Sequence, residues 1–246
     1  MRAWSINILL LSIVLLAGGK LRAQTEPVFS QSVDTTGEIP RFGPNRLFFG
    51  HGIFTFGMFE APQYGMPVRW WSPSISDGAR MKLKLWSWDA LVFDINYRYD
   101  LFSIKDSKPK LAPLDPMKHV RDRISVNNFS GGIANRFTLG RFGNVMGWWL
   151  DLGVYGDWAF YASHTVVDEY YNSNSPDGYG FKVKTRMSRL PYMSQVNYGV
   201  TARIGGDYVG LFVRYRLNKQ ITGSYGPYET DLPALTIGIE LYQIEE

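Results

Sequence analysis

Taken at every second residue, the stretch Leu91 to Leu101 presents Leu91, Phe93, Ile95, Tyr97, Tyr99 and Leu101 on one side and Val92, Asp94, Asn96, Arg98 and Asp100 on the other. A period of two predicts a β-strand, because successive side chains of an extended chain point to opposite faces. Arg80 to Trp86 repeats the pattern, with Met81, Leu83 and Leu85 opposite Arg80, Lys82 and Lys84. Only Ser87, Trp88, Asp89 and Ala90 separate the two runs, which is the length of a hairpin connection. One face of this hairpin is apolar and the other carries charge of both signs. A protein core against the apolar side explains the pattern, and so does lipid outside a polar interior.

The same alternation recurs along the chain. A first strand is expected over 45–59, with Phe48, Phe54, Phe56 and Met58 on one parity, followed by a long loop over 60–79. After the hairpin of residues 80–104 comes a second long loop, 105–123, interrupted by Pro109, Pro113 and Pro116. Phe129, Ile133, Phe137 and Leu139 mark the next strand, residues 140–144 form a short turn, and Trp148 to Phe160 form the fifth strand with Asp151, Gly153, Tyr155, Asp157 and Tyr161 opposite its apolar row. Ser163 to Gly180 reads as a third long, acidic loop. Phe181 to Arg189 reads as the exposed start of a sixth strand that continues through Val196, Tyr198, Val200, Ala202 and Ile204. A tight turn at 205–207, a seventh strand (209–217), a fourth loop (218–231) and a last strand (235–242) complete the pattern. Eight strands are thus joined by alternately long and short connections. An even strand number with long connections at one end and tight turns at the other is the plan of bacterial outer-membrane barrels.

Composition narrows the setting. Arg2, an apolar run from Ile6 to Leu16 and small residues up to Ala23 resemble an export signal, the run being too short to span a bilayer as a helix. Residues 1–23 are therefore expected to be a removed signal peptide, residues 24–44 a polar periplasmic lead-in broken by prolines and glycines, and residues 45–246 one domain. The chain has no cysteine, so neither lipidation at a processed cysteine nor a disulfide framework is available. It carries 26 Lys and Arg against 22 Asp and Glu; three of the cations (Arg2, Lys20, Arg22) fall in the signal, leaving 23 against 22. A balance near zero excludes nucleic acid as an expected partner, since that needs a concentrated basic face.

A soluble barrel would turn the apolar parity inward, a membrane barrel outward. Two features favour the membrane version. The charged parity mixes Gly, Ser and Thr with Asp94, Arg98, Arg136, Asp151, Asp157, Arg203, Arg214 and Glu240, the mixture that a narrow, side-chain-filled interior requires. Aromatics gather where strands meet their connections: Trp86, Trp88, Trp148 and Trp149 at turns, Tyr97, Tyr99, Trp158 and Phe160 toward the loops. Those are the positions of bilayer interfaces.

In this arrangement of strands and loops, residues 45–243 resemble the small outer-membrane barrels of the OmpX and OmpA-transmembrane type, and more loosely the PorT-like outer-membrane barrels. The resemblance implies an all-β, eight-stranded antiparallel up-and-down transmembrane β-barrel located in the cell outer membrane. It also implies outer-membrane lipid, lipopolysaccharide included, the insertion machinery and other envelope proteins as partners; the PorT likeness suggests protein export. The chain departs from the pattern at its end, where Tyr242 is followed by Gln243, Ile244, Glu245 and Glu246 instead of closing on an aromatic residue.

Candidate chemistry is sparse. Of His51, His119 and His164, the last stands beside Ser163 near Asp168 and Glu169, and a rim hydrolase could be drawn from these four. Adjacent residues on an extended chain face opposite ways, however, which is the wrong geometry for a nucleophile and its base. No His or carboxylate cluster has metal-ligand spacing. The expectation is a protein without catalytic residues, cofactor or metal, working through its long loops as an anchor, a recognition protein or a subunit of an envelope or export assembly. A lipid-modifying outer-membrane enzyme and a soluble periplasmic ligand-binding barrel are the rival readings.

Overall fold

The computed structural model describes residues 47–60, 68–86, 88–105, 120–139, 141–142, 145–171, 180–206, 208–222 and 231–243. The expected signal peptide and lead-in, His119 and most of the basic stretch 105–123 lie outside them. The described residues form eleven strands: β1 Phe48–Phe59, β2 Pro73–Lys84, β3 Asp89–Ser103, β4 Arg121–Thr138, β5 Arg141–Phe142, β6 Val145–Met146, β7 Trp149–Tyr171, β8 Gly180–Ser188, β9 Val196–Gly205, β10 Val209–Arg216 and β11 Leu235–Gln243. They are all-β.

Nine strands build one antiparallel sheet in the order β4-β3-β2-β1-β11-β10-β9-β7-β8, and an additional β4–β7 pairing joins every member except β8 into a closed ring of eight. β5 and β6 form a small separate hairpin inside one of the tight turns. The ring closes because β1 finds β11, with Gly52 opposite Gln243 and Phe59 opposite Thr236. Closure removes the two edges whose unpaired N–H and C=O groups would otherwise template aggregation.

The pairing is staggered. From Lys82 the partners run Val92, Ala134, Gly153, Thr201, Arg214, Thr236, Phe59 and back to Ser72, the residue just ahead of β2, whose carbonyl accepts the Phe59 N–H. One circuit thus shifts the register by ten residues, from 82 to 72. In an eight-stranded ring such a stagger tilts the strands by roughly 40° and leaves an interior just wide enough to be filled by side chains.

The alternation sorts as the periodicity predicts. Phe54, Ile95, Ile133, Leu152, Val200, Val213 and Ile239 point out and are exposed, whereas Thr55, Arg80, Asp94, Arg136, Asp151, Arg203 and Glu240 point in and are buried. At the end with the long connections the inside becomes apolar: Phe59, Val68, Phe102, Ile124, Leu190 and Ile221 belong to one buried cluster that fills the mouth of the ring.

Four local expectations need correction. β2 begins at Pro73, inside the span read as loop up to residue 79. Ser74 and Ser76 face inward there with Asp77 outward, so the stretch lacks the apolar contrast that marks a strand, and Pro73 sits at a first strand position, where its missing N–H does no harm. β7 does not stop near Phe160 but runs through His164 and Val166 to Tyr171. Residues 181–188 are not the start of the sixth strand; they form β8, which pairs with the end of β7 and adds a hairpin outside the ring. Arg189 adopts a left-handed φ of 56° and ends it. Finally, the register slips where Asn127 faces Tyr161 but Asn128 faces Ala159, so Phe160 is an extra residue. Such a bulge inverts the parity beyond it. Tyr161 therefore lies on the outside, and Ala162, His164 and Val166 turn inward.

Candidate functional site

Among the described residues, ion-paired side chains converge most densely in the buried interior. Each arrives there by strand parity, and cross-strand register decides its partner. Arg80 faces Asp94 and Arg136 faces Asp151 as direct neighbours, while the narrow bore brings other pairs together across the axis.

Two ionic layers result. In the layer nearer the tight turns, Arg80 Nε donates to Asp94 Oδ1 (2.6 Å) and its Nη atoms to Glu240, one of them to Oε2 at 3.0 Å. Arg203 reaches the other oxygen of Asp94 at 2.5 Å. Arg136 holds Asp151 in a two-pronged pair and lies 4.0 Å above the Trp149 ring. In the layer nearer the long connections, Arg98 bridges Asp100 (2.9 Å) and Asp157 (2.8 Å), and Arg214 bonds Asp157 and Ser130 at 3.1 Å each while lying 3.8 Å above Tyr155. Ser74 and Asn128 complete the shell of Asp100 with bonds of 2.6 and 2.9 Å. The named groups balance in each layer, three guanidiniums to three carboxylates and two to two. Pairing of this kind is what lets a buried charge persist, because an unpaired one costs several kcal/mol.

Between the layers remains a cavity of about 30 Å3, bordered by Thr55, Asn96, Thr201, by Arg80, Asp94, Arg203 and Glu240 of one layer and by Arg214 of the other. That is space on the scale of a water or two. The arrangement can hold itself rigid; it leaves no wide path for a solute among the described residues.

All eight interior residues named from sequence, Asp94 through Glu240, are found inside. Arg80, Asp100, Asn128 and Tyr242 share the site without being among those eight, although strand parity places all four with the polar set. Only the crossing contacts, such as Arg203 to Asp94, lacked any signal in the chain.

The hydrolase constellation does not assemble. Ser163 stays on the outer face and shares a hydrogen bond with Ser125 (2.9 Å), Glu169 meets Lys182 at 3.4 Å, and His164 turns inward, where its Nε2 contacts Asp122 Oδ1 at 2.7 Å and its Nδ1 Tyr192 Oη at 3.3 Å. His164 thereby ties the 189–195 segment to the ring. His51 is buried between Phe49 and Tyr242, with ring centroids at 5.3 and 5.5 Å, and neither of its nitrogens has a hydrogen-bond partner. Among the described residues no group of three or more His, Cys, Asp or Glu is placed to hold a metal ion.

The outside carries the complementary feature. Tyr97, Phe129, Trp158 and Phe160 form a contiguous aromatic group toward the long connections, with Phe129 and Phe160 centroids 4.8 Å apart. Trp86, Trp88 and Phe137 stack at the tight-turn end, 6.4 and 6.2 Å between successive rings. Along β4 the eight steps from Phe129 to Phe137 make about 27 Å of strand, which the tilt reduces to about 20 Å of height. No protein-family model matches this chain, and no curated protein matches it.

Proposed function

We propose that this protein is an integral outer-membrane β-barrel without enzymatic activity, whose polar, sealed interior serves rigidity and whose working surface is the end carrying the long connections. In this reading it acts there as an anchor, a recognition protein or a subunit of an envelope or export assembly.

The observation that carries the reading is the encircling row of exposed large apolar side chains, with Ile95 at 64%, Val154 at 58% and Val196 at 61% exposure, around an interior of ion pairs. A water-soluble chain does not present such a surface over its whole girth. A bilayer accepts it, provided that every backbone group is paired, as ring closure provides. The spacing of the two aromatic groups is close to the ~25 Å apolar band of outer-membrane barrels. Asp77, an exposed carboxylate on the outward parity, pairs with Tyr97 and so lies at the level of one aromatic group, where headgroups and water are within reach. The termini of the ring and its tight turns share one end, which in this reading faces the periplasm.

The test is expression with the export signal, followed by fractionation and by comparing gel mobility before and after boiling. Recovery in the outer membrane with a heat-modifiable band is expected; recovery in the aqueous fraction without detergent overturns the proposal.

A further inference from the structure

The outward face changes character at the end with the long connections. Above Phe129 it continues on β4 as Asn127, Ser125, Arg123 and Arg121; on β8 the same side presents Arg186, Lys184 and Lys182. Register sets these in rows. Arg123 faces Thr165, which faces Arg186, and Arg121 faces Val167, which faces Lys184. Two strand spacings, about 10 Å, separate the cations of each row. Arg69 extends the first row: its N–H bonds the carbonyl of Ser103, the β3 partner of Arg123. The guanidiniums of Arg69 and Arg123 lie 5.4 and 5.6 Å from the Trp71 ring.

Among the described residues six cations therefore share this surface with one carboxylate, Glu169, which is 3.4 Å from Lys182. Among the described residues no carboxylate pairs with Arg69, Arg121, Arg123 or Lys184. Arg123 Nε is buried without a hydrogen-bond partner, and partial burial together with the Arg121 and Arg69 charges pulls its pKa below the usual arginine range. Like charges assembled this closely, with a single counter-charge among the described residues, await an anion.

We propose that this face binds the phosphate groups of lipids in the leaflet at that end of the ring. The inference rests on the membrane reading above, because the patch is the direct continuation of the surface assigned to acyl chains, just beyond its aromatic group, at the height where lipid phosphates sit. Arginine forks suit phosphate oxygens in two-pronged bonds, and rows of cations about 10 Å apart can engage separate phosphates of one headgroup.

The experiment uses the full chain in nanodiscs of phosphatidylcholine, pure or doped with bis-phosphorylated lipid A, read by native mass spectrometry of retained lipid. Wild type should retain the phosphorylated lipid in preference to phosphatidylcholine, and the R121Q/R123Q/R186Q variant should lose that preference at least tenfold. K182Q/K184Q, altered only on the exposed β8, should lose part of it without disturbing the ring. Millimolar inorganic phosphate should fail to displace the lipid; displacement would mean a site for free phosphate and overturn the lipid assignment. Wild type that enters pure phosphatidylcholine discs yet shows no preference, or a triple variant that keeps it, refutes the site alone. Failure to enter any bilayer refutes the membrane reading as well.

Discussion

Arg136 on β4 and Asp151 on β7 meet through two parallel hydrogen bonds, Nε to Oδ1 at 2.7 Å and Nη2 to Oδ2 at 2.8 Å, with both side chains essentially inaccessible to solvent. Removing one partner breaks a buried two-pronged pair. D151A should cost about 3–5 kcal/mol, because Arg136 keeps its charge in a dry setting, whereas R136M/D151L should cost much less. Urea unfolding of the two variants in lipid vesicles measures the difference, and equal losses would mean that the pair is solvated.

Ile95 and Leu152 test orientation. Spin labels at either position should be quenched by oxygen and protected from a water-soluble nickel reagent. I95R should cost about 2–4 kcal/mol, the penalty for arginine near the middle of a bilayer; access by the aqueous reagent would mean that the apolar parity faces water.

Gly199 lies opposite Tyr155 in the β7–β9 ladder. A Cβ there would collide with the Tyr215 carbonyl and come within 2.7 Å of the Tyr155 hydroxyl. The missing side chain is what lets Tyr155 lie across the interior beneath Arg214. G199V should therefore destabilise by more than about 2 kcal/mol, since neither backbone nor packed ring can retreat cheaply. Thermal loss of heat-modifiability reports it.

His164 and Asp122 should matter locally. D122N weakens the tie that holds Tyr192 and the turn after Arg189, so trypsin cleavage at Arg186 or Arg189 should rise about tenfold, the consequence of losing one buried hydrogen bond of about 1.4 kcal/mol in a segment that opens independently. Ring stability should hardly change; a matching loss of global stability would show that the segment and the ring unfold together.

A sealed interior predicts electrical silence. Reconstituted in planar bilayers, the protein should show no steady ohmic current. A steady ohmic current would mean an open path past Arg98 and Arg214.

The strands were readable where the two faces contrast. Leu91 to Leu101 alternates apolar with charged residues and lies inside β3, with its apolar parity outward as the membrane version requires. Pro73 to Gly78 holds one large apolar side chain, Ile75, among serines, a glycine and an aspartate, too little contrast to mark a face, so its place at the start of β2 is not legible. β8 was misassigned because its alternation of Lys182, Lys184 and Arg186 with Phe181, Val183 and Met187 is indistinguishable from a ring strand; its neighbour in space decides, and that neighbour is β7.

The chain by itself determined which residues share a face, because extended backbone geometry is local and needs no partner. Tertiary structure decided what those faces meet: β1 closing on β11, the stagger that carries Arg203 across to Asp94, and the extra residue at Phe160 that turns His164 inward. Each depends on register between strands remote in sequence, and register arises from the packing of all eight strands at once, a quantity that no single segment contains.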